Sequence, residues 1–231
     1  MLFIGITGGV GAGKSEILNY LRTSYNSKVM LTDEIAHDVM EPGTDCYNRL
    51  KEIFATEKLA KDPAMSPLFA EDAGFSVYNE DGTFHRPNLA KVIFSDDKMR
   101  EALNAIVHPA VKQYVIDQYE IEKDASAAND INKAPLDLLV VESALLIDDN
   151  YGAICEEMWY IYTTEENRRA RLKASRGYSD EKIQNIFDSQ LSETAFRAAC
   201  QEVIDNNQTP EEAFAQIKEI LSAKGIRQLC N

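Results

Sequence analysis

The chain lacks closely spaced cysteines, any excess of basic charge and any long apolar run, and each absence removes a class of function. Its four cysteines, Cys46, Cys155, Cys200 and Cys230, stand far apart without a C-x-x-C pair. Neither a disulfide framework nor a zinc site is expected, and the thiols read as free in a cytosolic setting. Lys and Arg number 24 against 38 Asp and Glu, a net charge of −14, which argues against a general nucleic-acid binder. No stretch approaches the roughly 18 uninterrupted apolar residues of a membrane span. The N-terminal MLFIGITGG has neither a basic region nor a small-residue cleavage site, so a cytoplasmic protein without a membrane partner is expected. With 45% hydrophobic and 27% charged residues over 231 positions, the composition is globular, neither disordered nor fibrous.

What is present begins with an apolar run, Leu2–Thr7, followed by glycines at 8, 9, 11 and 13 and then by EILNYLRTSY with helical spacing. This predicts strand, glycine loop and helix. Further runs resembling buried strands are KVML at 28–31, LDLLVV at 136–141, MWYIYT at 158–163 and EVIDN at 202–206. Strands alternating with helices imply an α/β fold with a five-stranded parallel sheet. The second and third runs are far apart, and an inserted helical region fits the gap. Within it Ser95 is expected to cap a helix starting at Asp96, with an apolar stripe through Met99, Leu103, Ile106, Val107, Val111 and Val115 and a kink or break at Pro109. Residues 124–135, small and polar, read as a surface linker. Thr209, Pro210 and Glu212 form a capping box opening a last helix that runs to about Ala223.

Gly8-Gly9-Val10-Gly11-Ala12-Gly13-Lys14-Ser15 satisfies G-x-x-x-x-G-K-[ST]. Glycines let backbone N–H groups turn around phosphate oxygens, the following helix offers its positive end, Lys14 reaches the β- and γ-phosphates, and the Ser15 hydroxyl can ligate Mg²⁺. Glu16 is unusual beside a polyphosphate, but a first-turn acid suits the helix dipole.

Two carboxylates and a basic cluster accompany the loop. Asp33, just past the second strand, either takes a proton or helps hold Mg²⁺, or else caps a helix starting at Glu34. Glu142 closes the third strand, where an acid can organise Mg²⁺ through water; the alternative is an ordinary strand-end acid. NRRARLKASRG at 167–177 carries Arg168, Arg169, Arg171, Lys173 and Arg176 without an acid. It is either a lid that neutralises charge on a transferred phosphoryl or a solvated helix face, and Arg168 at its start is expected to face solvent. His37 and His85 are expected at the surface, and His108 partly buried.

In combination these segments resemble the dephospho-CoA kinase family from residue 3 to about 207. GITGGVGAGKS at 5–15 and LTDEIAHDV at 31–39 are similar to its phosphate loop and its general-base segment. DGTFHRPNLAKVIF at 81–94 and LNAIVHP at 103–109 resemble its substrate-insert signatures, and SQLSETAFR at 189–197 and EVIDN at 202–206 its lid exit and final strand. The resemblance implies that Gly9, Gly11, Ala12, Gly13, Lys14, Ser15 and Glu16 bind ATP, that Asp33 activates the acceptor hydroxyl, and that Arg86 and His108 bind dephospho-CoA. It makes the basic cluster the lid, with Arg171 or Arg176 on the phosphoryl. The chain departs from the family pattern at Glu142 and Ala144–Asp148, in the Arg171–Arg176 spacing, and at Gln201 and Gln208.

The expectation is thus a single P-loop kinase domain over 1–231, with a helical substrate insert at 35–130 and a lid at 165–195. It would act as a monomer that, with Mg²⁺, transfers the ATP γ-phosphoryl to the ribose 3′-hydroxyl of dephospho-CoA. Another nucleoside or nucleotide kinase is the nearest alternative. An NTPase switch is a more distant one, since no N-K-x-D motif is present.

Overall fold

A computed structural model describes residues 1–72, 74–127 and 135–229. In chain order the elements are β1 (Leu2–Thr7), α1 (Lys14–Ser24), β2 (Ser27–Leu31), α2 (Thr32–Val39), α3 (Asp45–Ile53), α4 (Thr56–Leu59), α5 (Ser66–Glu71), α6 (Arg86–Ser95) and α7 (Asp97–Ala127). After these come β3 (Leu138–Glu142), β4 (Glu157–Tyr162), α8 (Glu165–Arg176), α9 (Asp180–Asp188), α10 (Glu193–Ala199), β5 (Glu202–Asp205) and α11 (Pro210–Ala223). The five strands form one parallel sheet in the order β2-β3-β1-β4-β5, as the alternating pattern predicts. The predicted strands lie within two residues of those observed.

Contacts divide the chain into two compact units, Met1–Leu31 with Val115–Asn231, and Thr32–Tyr114. The first holds the sheet. β1 is buried on both faces because it is central and flanked by helices; Ile4, Ile6, Trp159, Ile161 and Ile204 meet Ile17 and Leu21 of α1 and Ile217 and Leu221 of α11 in one cluster. Each such side chain removed from water contributes about 1.5–3 kcal/mol. Phe3 stacks on Tyr119 of α7, ring centroids 5.0 Å apart, and the buried Glu122 takes a 2.9 Å hydrogen bond from Lys28 of β2. The second unit is helical, with Tyr47, Leu50, Phe54, Phe84, Leu89 and Val92 buried and Tyr78 and Phe84 joined by an isolated antiparallel bridge.

Several local expectations need correction. Ser95 ends α6, its hydroxyl donating to the Lys91 carbonyl, while the Asp96 carboxylate accepts from the Lys98 N–H and so does the capping. Pro109 does not break α7, which runs as one helix from Asp97 to Ala127. Proline forfeits one backbone bond there, but Ile106, Val107, Val111 and Val115 stay buried along one stripe. The linker begins later than expected, since 124–127 are helical; 128–134 lie outside the described residues, as does Cys230. Cys46, Cys155 and Cys200 are buried thiols outside any disulfide. α11 has the predicted bounds, with the Thr209 hydroxyl accepting from the Glu212 N–H. Among the described residues no helix is long and apolar enough to cross a membrane.

Candidate active site

The site is built at the carboxyl ends of the parallel strands, where open α/β sheets hold ligands. β1 runs into the glycine loop, and the loop into α1. Gly11 and Gly13 have φ of +84° and +87°, a left-handed backbone that side chains disfavour. Gly13 precedes α1 directly, so the helix presents its unpaired N–H groups and positive end at the loop. Ser15 and Glu16 lie exposed in its first turn.

Lys14 Nζ donates to the Gly8 carbonyl at 2.7 Å and lies 3.5 Å from Glu142 Oε1, both side chains being about 15% exposed. Sheet register accounts for the acid's position: Glu142 ends β3 opposite Ile6 of β1 on one side and Leu31 of β2 on the other. Chain connectivity puts Asp33 two residues beyond Leu31. Its side chain is exposed, and because α2 already begins at Thr32, Asp33 stands inside the first turn rather than at the capping position. The capping alternative therefore does not account for it.

The loop is held from outside by groups the sequence reading did not single out as site residues. Asn206, buried just past β5, donates from Nδ2 to the Ala12 carbonyl at 2.8 Å, and the Thr163 hydroxyl donates to the same oxygen at 3.1 Å. A Cβ on Gly13 would lie 2.4 Å from Asn206 Nδ2, so glycine here also admits the amide. The available signal was a polar residue closing each strand: Glu142, Thr163 and Asn206 follow β-runs at the edge where P-loops sit.

The basic cluster divides by direction. Arg171 donates to the Asn206 carbonyl at 2.7 Å and lies 3.4 Å from the Ala12 carbonyl. Arg168, expected in solvent, is instead half-buried on the loop, its Nε donating to the Val10 carbonyl at 2.9 Å. Burial lowers its guanidinium pKa from the ordinary value, though arginine remains a cation. Arg169 and Lys173 turn outward to Asp180 of α9, whose carboxyl is lowered chiefly by the Lys173 hydrogen bond. Arg176 is exposed at the end of α8, 5.8 Å over the Tyr178 ring.

Oxygen donors from one hydroxyl and one carboxylate, Ser15 and Glu142, suit a hard cation. Among the described residues no three His, Cys, Asp or Glu side chains gather to hold a metal. Mg²⁺ is commonly bound by one or two protein groups, with phosphates and waters completing the shell.

In the second unit a cavity of about 220 Å³ is lined by Met40, Phe84, Leu89 and Ile93, with His37, Glu41 and Arg86 adding polarity. Arg86 opens α6 with its guanidinium 3.8 Å from Glu41. His85, expected on the surface, caps that helix, Nδ1 accepting from the Asn88 N–H. His108 is half-buried within α7 and is not among the cavity's lining residues. Of the departures, Gln201 has a visible use: its side-chain oxygen accepts from Met158 N–H at 2.7 Å and its own N–H donates to the Met158 carbonyl. Ala144, Asp148 and Gln208 are exposed.

A sequence model for dephospho-CoA kinase matches residues 2–212. The dephospho-CoA kinase of Oceanobacillus iheyensis is 30% identical over 97% of this chain and 98% of its own. The crystal structure of TT1252 from Thermus thermophilus superposes with a TM-score of 0.61 at 25% identity, covering 96% of this chain and 97% of that one. The dephospho-CoA kinase of Campylobacter jejuni has the same fold, with a TM-score of 0.60 at 20% identity over 96% of this chain and 98% of its own.

Proposed function

The chain belongs to the dephospho-CoA kinase family and uses ATP to phosphorylate dephospho-CoA, the last step of coenzyme A formation, and we propose how its residues divide that work. The backbone from Gly9 to Ser15, with Glu16 beside it, cradles the polyphosphate, and Lys14 bridges the β- and γ-oxygens. Asp33 accepts the proton of the ribose 3′-hydroxyl as that oxygen attacks the γ-phosphorus and the bond to the β-bridging oxygen breaks. Arg171 and Arg176 neutralise charge on the transferred group. Mg²⁺, held by Ser15 and through water by Glu142, supplies charge neutralisation on the phosphates when bound.

Within the insert, at 35–130, Arg86 and the apolar cavity beside it take dephospho-CoA, with His108 contributing from α7. The lid, at 165–195, keeps water from becoming the acceptor. The enzyme works in the cytoplasm as a monomer on small molecules alone, in keeping with its net charge of −14.

The observation that carries the reading is the approach of Lys14 and Glu142 at the loop. Its test is acceptor-dependent ADP formation, with the phosphorylated position identified on the product. Dephospho-CoA should far exceed adenosine and AMP, because remote binding energy positions the hydroxyl. Asp33→Asn should lower turnover by about 10²–10⁴ with ATP binding kept. Arg86→Ala should weaken dephospho-CoA use more than ATP binding. Equal use of a plain nucleotide, or a phosphate elsewhere than the 3′-oxygen, overturns this division of roles.

A further inference from the structure

Val10 stands midway along the glycine loop, and both of its backbone polar groups are engaged by the lid segment. Its carbonyl accepts from Arg168 Nε at 2.9 Å, and its N–H points to Gln190 Oε1 at 3.4 Å. Arg168 Nη2 donates to that same Gln190 oxygen, which closes a ring of three hydrogen bonds around one loop residue. The guanidinium is fixed on a further side by Phe187, 4.3 Å above the ring centroid. A Cβ on Gly9 would collide with Arg168 Cζ, so the bare backbone at Gly9 leaves room for this arginine as well as for phosphate.

We propose that Arg168 and Gln190 form a clamp between lid and phosphate loop that holds the loop in its nucleotide-binding shape, Arg168 acting as a positioning residue through Val10. A loop with glycines at 8, 9, 11 and 13 has unusual backbone freedom, and ordering it on binding opposes affinity. A clamp that orders it beforehand removes that cost from the binding step. Charge assistance from Arg168 strengthens two of the three bonds. Since the clamped groups lie on Val10, upstream of the Gly13–Ser15 segment that starts α1, the effect belongs to nucleotide affinity rather than to the chemical step. The inference rests on ATP occupying this loop.

The test combines calorimetric binding of a non-hydrolysable ATP analogue with steady-state kinetics for wild type, Arg168→Ala, Gln190→Leu, the double variant and Gln190→Glu. Each single loss should raise the analogue's Kd and the KM for ATP about tenfold, the scale of one charge-assisted hydrogen bond. The kcat and the KM for dephospho-CoA should stay within about twofold, as expected when only ground-state nucleotide binding is lost. The double variant should match the worse single one, because the two side chains act as one device. Gln190→Glu, which keeps an acceptor for both donors, should bind like wild type. Multiplicative effects in the double variant overturn the clamp, and so does unchanged nucleotide affinity in the single variants, or a fall in kcat at constant KM. If wild type itself fails to bind the analogue, it is the assignment of the loop to ATP that fails; if wild type binds and the variants bind equally, it is the clamp.

Discussion

The side-chain amide of Asn206 donates to the carbonyl of Ala12 across 2.8 Å, in a position closed to solvent. It joins the end of the last strand to the middle of the phosphate loop. Asn206→Ala should destabilise the fold by about 1–3 kcal/mol, the cost of losing a buried partner. The lower end is expected, since Thr163 still donates to the same oxygen at 3.1 Å. Thermal unfolding alongside ATP titration checks this, and an unchanged melting temperature with unchanged affinity would remove Asn206 from the loop's support.

Lys14→Ala should leave the fold intact and lower turnover by at least about a hundredfold, comparable to removing one strong transition-state donor. It also takes one cationic neighbour, at 3.5 Å, away from Glu142. Adding Glu142→Gln should therefore recover stability without recovering turnover. Melting curves and ADP release on the single and double variants separate the two effects, and near wild-type turnover in the single variant would mean that the lysine does not serve the phosphates.

Arg171 and Arg176 should prove unequal. Arg171 already reaches the Asn206 carbonyl beside the loop, whereas Arg176 is exposed near Tyr178. Arg171→Ala is expected to cost about 10²–10³ in kcat through lost charge stabilisation, and Arg176→Ala much less. Rapid-quench kinetics on both variants decides; a dominant Arg176 would show that the end of α8 is what meets the transferred group.

Glu157 gives a pH signature far from the chemistry. Burial opposes its charged form, but hydrogen bonds from Lys224 Nζ and Trp159 Nε1, with the Lys224 charge, outweigh it and lower its pKa from 4.5. A carboxyl whose folded pKa is depressed adds stability that is full above the unfolded value and disappears as pH falls through the folded one. Urea unfolding of wild type and Glu157→Gln should thus diverge most above about pH 5 and converge in stronger acid. Parallel profiles would mean that the ion pair adds nothing.

The phosphate loop and α11 were legible because their signals are contiguous. Eight residues state the loop, and Thr209, Pro210 and Glu212 state a helix start within one turn. β1, β3 and β4 were legible because burial on both faces leaves unbroken apolar runs. Arg168 was not, since its partners Val10 and Gln190 are remote in sequence: the parallel pairing of β1 with β4 brings Val10 close, and the return of the chain through α9 brings Gln190. Ser95 and Asp96 are both competent caps, and the choice between them depended on where α6 ended. Pro109 does not split α7 because the local helix penalty is outweighed by a buried stripe on either side of it.

β1 is synthesised first yet occupies the middle of the sheet, hydrogen-bonded to β3, which begins at Leu138, and to β4, which begins at Glu157. The strands that flank the nucleotide loop therefore lie far downstream of it in the chain. The clasps on Ala12 come later still, from Thr163, Arg171 and Asn206. Long-range pairing of this kind makes folding slow and exposes apolar segments meanwhile. The loop is thus held in its nucleotide-gripping shape by residues that lie beyond β4 in the chain, so its order depends on the whole sheet having paired.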